Sequence, residues 1–175
     1  MYRLRFLIVM LRCFFAKRRG MLESHEIGFH VLPVFDTDVR RLFSHTYAAY
    51  TALARWHFVF SSEIGPIAVK NRWIPVTTAE TFTFRRSIRN FEKVQVLTEM
   101  VCWNEHGFFL RQTFLVKREV RAIAYSEGVV RGPSGHLKPA EAFRLAGMDR
   151  PSPEMQEEVR LWDRMQKLMR DHRQF

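Results

Sequence analysis

The longest regular pattern of apolar and polar positions runs from Trp73 to Arg131. Phe108, Leu110, Phe114 and Val116 are two-spaced apolar positions, with Gln112 the exception, while Arg111, Thr113 and Lys117 take the other phase. This alternation suits a strand with one face buried and one wet. Val94, Val96, Met100 and Cys102 repeat it earlier in the chain, and Val120, Ala122, Ala124 and Val130 repeat it later. Asn104-Glu105-His106-Gly107 supplies a hairpin loop whose Gly tolerates positive φ. Lys117-Arg118-Glu119 marks a second connection, without Gly. The stretch predicts an antiparallel sheet of about four strands. Such a sheet needs cover for its apolar face from the rest of the chain.

That cover is predicted between Ser44 and Phe60, where the period becomes helical. Tyr47, Tyr50, Thr51, Ala54 and Phe58 share one face, and Leu53, Trp56 and Phe60 widen it. A slender helix, apolar over most of its circumference, belongs in the core, with the sheet as its partner. Ser44 is its expected N-cap. Upstream, Glu26 to Leu32 reads as a short strand ended by Pro33, and Asp36-Thr37-Asp38 with Arg40-Arg41 as a charged loop. Ser61 to Arg72 is a return connection with the turn signal Gly65-Pro66. Gly132-Pro133-Ser134-Gly135 breaks the pattern after the sheet. Pro139 to Ala146 is a short helix closed by Gly147. Pro153 to about Arg173 is a final helix, capped by Ser152 and carrying an apolar stripe of Val159, Trp162, Met165 and Met169. The expected division is a basic N-terminal helix over 1–20, a central domain over 21–147 and a C-terminal helix over 148–175.

Composition adds three constraints. The 175 residues include 16 Phe, enough for a sizeable core. Cys13 and Cys102 lie far apart without metal-ligand spacing, which favours a reducing, cytoplasmic compartment over a disulfide framework. The net charge of +10 invites a nucleic-acid reading, but Arg3, Arg5, Arg12, Lys17, Arg18 and Arg19 precede the first acid, Glu23. The sheet region offers few cations interleaved with exposed aromatics, so nucleic acid is not an expected partner. In Met1 to Arg19 the apolar run Phe6–Leu11 is far short of a membrane span. Three readings stay open there: a basic amphipathic helix on an anionic membrane surface, a helix docked on the protein's own sheet or a partner subunit, and a disordered tail.

One buried helix followed by a long antiparallel sheet is the element order of a hotdog fold, an α+β architecture in which the sheet wraps a central helix. Phe29-His30-Val31-Leu32-Pro33, Arg72-Trp73-Ile74-Pro75-Val76, Phe84 to Phe91, Trp103-Asn104-Glu105 and Arg131 to Gly135 resemble the thioesterase-like hotdog family of bacterial acyl-CoA thioesterases. The resemblance covers roughly Met21 to Gly147, and a basic, hydrophobic N-terminal helix fits it too. The alternative fold is cystatin-like, which also curls a sheet around a helix. The loop before the helix departs from the family, whose members usually carry an Asp-rich loop, a His-Met-Asn-Asn-like run and a Tyr. With Pro33, Tyr47 and Arg55 aligned, Arg41 stands at the family's His, Phe43 and Ser44 replace the paired Asn, and Asp36 and Asp38 are each one residue out of phase.

Thioester hydrolysis needs a polarised carbonyl, an activated water and a groove with cationic contacts. Backbone N–H groups at the start of the Ser44 helix suit the first need. Asp36, Asp38 and His45 are the candidates for the second. Set against this, the two Asp can equally be solvated or paired with Arg40 and Arg41, and His45 can be structural. Ser44, Tyr47, Thr78, Arg85 and Arg86 are the candidate substrate contacts, the arginines for CoA phosphates. Glu80 is expected to face water. Gly128 to Gly132 is no phosphate loop, and the His show no pair at metal-ligand spacing, so neither metal nor cofactor is expected beyond the CoA of the substrate.

The sequence therefore points to an acyl-CoA or acyl-carrier thioesterase-like protein of lipid metabolism, acting by carboxylate- or His-assisted attack of water. The alternative is an inactive hotdog protein that binds an acyl or aryl thioester, or a hydrophobic ligand, at the membrane surface. The resemblance implies a homodimer or higher oligomer with its sites at the seam. It fits a cytoplasmic protein with peripheral contact to the inner membrane through residues 1–19.

Overall fold

The computed structural model describes residues 2–148 and 150–171. In chain order the elements are α1 (Tyr2–Phe15), β1 (His25–His30), α2 (Ser44–Ser61), α3 (Gly65–Lys70), β2 (Ile74–Phe84), β3 (Lys93–Trp103), β4 (Phe108–Val116), β5 (Glu119–Gly132), β6 (Gly135–Leu137), α4 (Pro139–Leu145) and α5 (Glu157–Asp171). One antiparallel sheet runs β1-β3-β4-β5-β2, with β6 paired to β5. It curls around α2, and β2 and β1 are its edges.

The packing follows from side-chain size. Tyr47, Tyr50, Leu53 and Ala54 of α2 meet Ile27, Phe29, Val94, Val96, Phe114, Ala122 and Ala124 in one buried cluster. The inner face of β5 carries small side chains, Ala122, Ala124 and Ser126, and this leaves room for the helix. Gly128 continues the row, since a Cβ there would lie 2.6 Å from the Phe108 ring. Farther along α2, Phe58 and Val59 pack with Trp73, Met100, Phe108, Leu110 and Phe143 of α4. Gln112, the break in the alternation of β4, is fully buried. Its amide donates to the Thr51 carbonyl at 2.9 Å, and its oxygen accepts from Arg55 at 3.2 Å and Ser126 at 3.3 Å.

Several local expectations change. Phe43, with extended backbone, is the residue that precedes the first turn of α2, and Ser44 already lies inside the helix without a side-chain cap. Ser152 does not cap α5, which starts at Glu157; its hydroxyl accepts the Trp103 N–H at 2.9 Å. The register of β3 and β4 shifts between Met100 and Cys102. This bulge turns Cys102 away from the α2 side, and with Val101 and Phe109 it packs under Val159 and Trp162 of α5 on the outer face. Met165 and Met169, expected in the α5 stripe, are exposed. Gly107 does not adopt positive φ; it is needed because a Cβ would meet the Gly128 carbonyl at 2.5 Å. The Gly-free connection is a tight turn with Lys117 and Arg118 both left-handed. The return connection contains α3, and the break after β5 is a turn into β6. No helix among the described residues is long and apolar enough to cross a membrane.

The N-terminal segment is a helix packed on α2. Beside it lie two imidazoles, His25 buried and His57 half-buried. His25 Nδ1 meets Ser61 Oγ at 2.9 Å and Nε2 meets the Gly20 carbonyl at 3.1 Å, while burial lowers its pKa. Burial, reinforced by His25, Arg12 and Arg19, lowers His57 to about 4 from its ordinary 6.5. As pH falls through 6.5 the unfolded chain takes up a proton at this position that the folded chain refuses until about 4. Stability is therefore expected to fall between those values as pH decreases. His57→Gln should flatten that part of a melting-temperature profile. An unchanged profile would show that His57 does not carry the linkage.

Candidate functional site

The loop from Val31 to Phe43 delivers the chain to the amino end of α2. It is built on a left-handed step at Val34 (φ 70°), a strained choice for a β-branched residue. Asp36 holds that step. The residue is buried, and its carboxylate accepts the Leu32 N–H at 2.7 Å and two Arg5 N–H groups, each at 2.6 Å. Arg5 comes from α1 and also donates to the Tyr50 hydroxyl at 3.0 Å and the His30 carbonyl at 2.9 Å. The Asp36 carbonyl accepts the Phe43 N–H and the Thr46 hydroxyl, both at 3.0 Å. Asp36 thus ties α1, β1 and α2 to the loop. Its partner is Arg5 and neither Arg40 nor Arg41, and the tight guanidinium pairing leaves it inside the protein, away from the cleft.

Asp38 lies on the open side of the same loop. One carboxylate oxygen accepts the backbone N–H groups of Arg40 at 3.1 Å and Arg41 at 3.0 Å. Those two amides, Arg41 first, hold its carboxyl below the usual carboxylate range. Asp38 lines a cleft of about 310 Å³ with Arg41, Leu42, Ser44, Tyr47, Phe84, Arg85, Arg86 and Ser87. The end of β2 and the residues after it form the opposite wall. The Leu42 N–H to the Ile88 carbonyl, 2.8 Å, joins the two walls.

The amino end of α2 opens into this cleft. Thr46 and Tyr47 N–H groups donate to the Phe43 carbonyl, and no side chain caps the turn. The preceding amides, of Ser44 and His45, have no backbone acceptor among the described residues. They are the orphan donors every helix start leaves, aligned with its positive dipole end. Tyr47 forms the floor, edge-on to Phe84 (4.9 Å) and tilted on Phe114 (5.1 Å), and burial raises its phenol pKa.

Of the residues singled out in the sequence, the cleft therefore brings together Asp38, Ser44, Tyr47, Arg85 and Arg86. Asp36 is turned inward. His45 is exposed on the outside of α2, stacked on Phe43 at 4.9 Å, and does not line the cleft. Thr78 sits beside the β2 bulge, donating to the Glu127 carbonyl at 3.3 Å. It is six residues before Phe84, roughly 20 Å along the strand. Arg86 pairs with Glu119 across the strand end. Among the described residues no group of His, Cys, Asp and Glu is arranged to hold a metal ion.

Two features had no local signal. The Arg5–Asp36 pair spans 31 positions. Glu80 faces inward against the expectation that it faces water: it pairs with Arg55 of α2, and both side chains are largely buried. Arg55 is a long cation on a helix that otherwise packs apolar surface, so it needs a buried acid from the facing strand. Its position on the apolar helix was the available hint.

This architecture and this cleft set the comparisons with known proteins. A sequence profile described as the thioesterase-like superfamily matches residues 36–162. The chain is 24% identical over 151 residues to Protein THEM6 of Drosophila melanogaster, covering 85% of this chain and 76% of that protein. The structure is similar to that of the Escherichia coli probable thioesterase YbaW (TM-score 0.62, 16% identity, 71% of this chain and 98% of that one). It is also similar to a hypothetical protein from Staphylococcus aureus solved in complex with CoA (TM-score 0.62, 10% identity, 82% of this chain and 96% of that one). With helix and sheet arranged as in these hotdog proteins and the profile spanning most of the sheet and its helix, the chain belongs to the thioesterase-like superfamily.

Proposed function

We propose that this protein hydrolyses an acyl-CoA or acyl-carrier thioester by carboxylate-assisted attack of water in the cleft at the start of α2. The observation that carries the reading is the convergence there of three chemistries. The free amide of Ser44, at the positive end of the α2 dipole, suits an oxyanion forming at the thioester carbonyl. The Asp38 carboxylate has one oxygen engaged by backbone and the other available to take a proton from water. Arg41, Arg85 and Arg86 offer fork-shaped donors for CoA phosphates. The Staphylococcus aureus neighbour solved with CoA supports this class of ligand. A panel of acyl-CoAs of different chain length, followed with a thiol-reactive dye, tests the proposal. Release of free thiol is expected for at least one. Binding without release on every chain length would overturn hydrolysis.

A second reading is favoured by one specific observation. Asp36, the buried acid of the loop, is neutralised by Arg5, so the loop keeps a single acid at the cleft. A protein that holds a thioester or another hydrophobic ligand without cleaving it needs no more. It would bind acyl-CoA with the same arginines and fail the thiol assay.

The same reading includes a homodimer. β2 ends the sheet, and its outer edge runs for 11 residues with no partner strand among the described residues. A long bare edge is a template for a second strand, and a second copy laid along it would wall the cleft beside Phe84. Light scattering is expected to give twice 20.9 kDa. A monomeric mass would remove this wall from the proposal.

A further inference from the structure

The helix α1 buries one face and leaves the other bare. Val9 and Cys13 are buried against α2, Phe6 packs edge-on to Trp56 at 5.5 Å, and Arg5 reaches Asp36. At 100° per residue these positions occupy one side of the helix. The opposite side consists of Leu4, Leu7, Ile8, Leu11, Phe14 and Phe15, all exposed, with Phe14 at 77% and Phe15 at 89%. No polar residue interrupts it. Arg3 and Arg12 lie at its two margins, and Lys17, Arg18 and Arg19 follow directly. None of these five cations is in a salt bridge among the described residues. No acid occurs before Glu23. The bare face continues into an open groove of about 330 Å³ between α1 and α3, lined by Met10, Phe14, Phe60, Pro66 and Val69 and by Arg18, which donates to the Phe60 carbonyl.

A helix with apolar surface on two opposite faces belongs between two apolar media. Here the protein supplies one. We propose that the outward face of α1 is a membrane-docking surface, which lays the helix in the plane of an anionic bilayer with Leu4, Leu7, Leu11 and Phe14 in the acyl layer. The flanking Arg3, Arg12 and Lys17 then sit at the level of the lipid phosphates. The 14 residues of α1 reach about 21 Å, less than the hydrocarbon thickness, so the helix lies flat. Charge decides the occupant. A second copy on this face would set the same cluster of cations against itself, whereas anionic headgroups neutralise it. The proposal is independent of thioester chemistry, because the α2 cleft does not include α1.

The test is co-sedimentation of the full chain with vesicles of phosphatidylcholine alone and of phosphatidylcholine with phosphatidylglycerol, at low and high salt. Binding is expected to the anionic vesicles and to weaken with salt. Leu11→Glu should lower the partition coefficient at least about tenfold. Arg12→Gln and Lys17→Gln should each lower it about fivefold. Melting temperature is read in parallel; the charge variants, altered only on exposed side chains, keep the test valid if Leu11→Glu folds poorly. Equal binding to neutral and anionic vesicles, or binding indifferent to the charge variants, overturns the proposal. So does self-association in solution that Leu11→Glu abolishes without any vesicle binding, which would assign the face to a second copy.

Discussion

Asp38→Asn is expected to lower kcat on the best acyl-CoA by about 10²- to 10⁴-fold, the usual contribution of a positioned general base. The expectation rests on which acid of the loop has a free oxygen at the cleft. The two backbone N–H groups of Arg40 and Arg41 engage one oxygen of Asp38. They also hold the carboxyl below its ordinary pKa, so it is ionised at neutral pH. An asparagine oxygen accepts the same two bonds, so the loop keeps its shape and the melting temperature should hold. What is lost is the ability to take a proton from water. Binding of acyl-CoA should survive, since Arg85 and Arg86 are untouched. Undiminished turnover in the folded variant would mean that water is activated elsewhere. As a control, Asp36→Asn should be read mainly in stability, because Asp36 faces Arg5 inside the protein.

Arg5→Met is expected to destabilise the fold by about 3–5 kcal/mol, the cost of stranding one partner of a buried ion pair. Arg5 and Asp36 expose 14% and 4% of their side chains. Removing the guanidinium leaves a carboxylate with one backbone N–H, at Leu32, and frees the Tyr50 hydroxyl from its donor. Desolvation already pushes the Tyr50 phenol far up, so it stays neutral and offers Asp36 no charge. Introducing Asp36→Asn into the Arg5→Met chain should recover much of the loss, because no net charge then remains in the pocket. Urea unfolding of the two single variants and the double gives the coupling energy directly. Additive losses would show that the pair is not coupled. The methionine preserves the apolar stem on which α1 packs, so the experiment isolates the charge.

The two predictions separate what had looked alike in the linear chain. Asp36 and Asp38 are two residues apart in one polar loop, and composition offers no ground for treating them differently. The fold does. Asp36 points to α1, which reaches it from 31 positions upstream, and Asp38 points to the segment after β2. Likewise Glu80 was indistinguishable from any other polar strand residue until α2 set Arg55 opposite it. Cys102 followed the two-residue rhythm of its strand until a bulge reversed its side.

What the sequence determined by itself was the architecture. Period-two alternation along 73–131 and the helical apolar surface of 44–60 are short-range patterns, and burial of apolar area dictates that the two pack together. Side-chain rhythm and turn chemistry are local, so they can be read one residue after another. What only the tertiary structure decided was which polar groups meet, because each such contact joins segments far apart in the chain. It assigned Asp36 to Arg5, left Asp38 at the cleft, turned His45 outward, and left the outer face of α1 exposed. The physical reason is desolvation: a buried charge is tolerable only beside its partner, and that partner is chosen by the folded geometry.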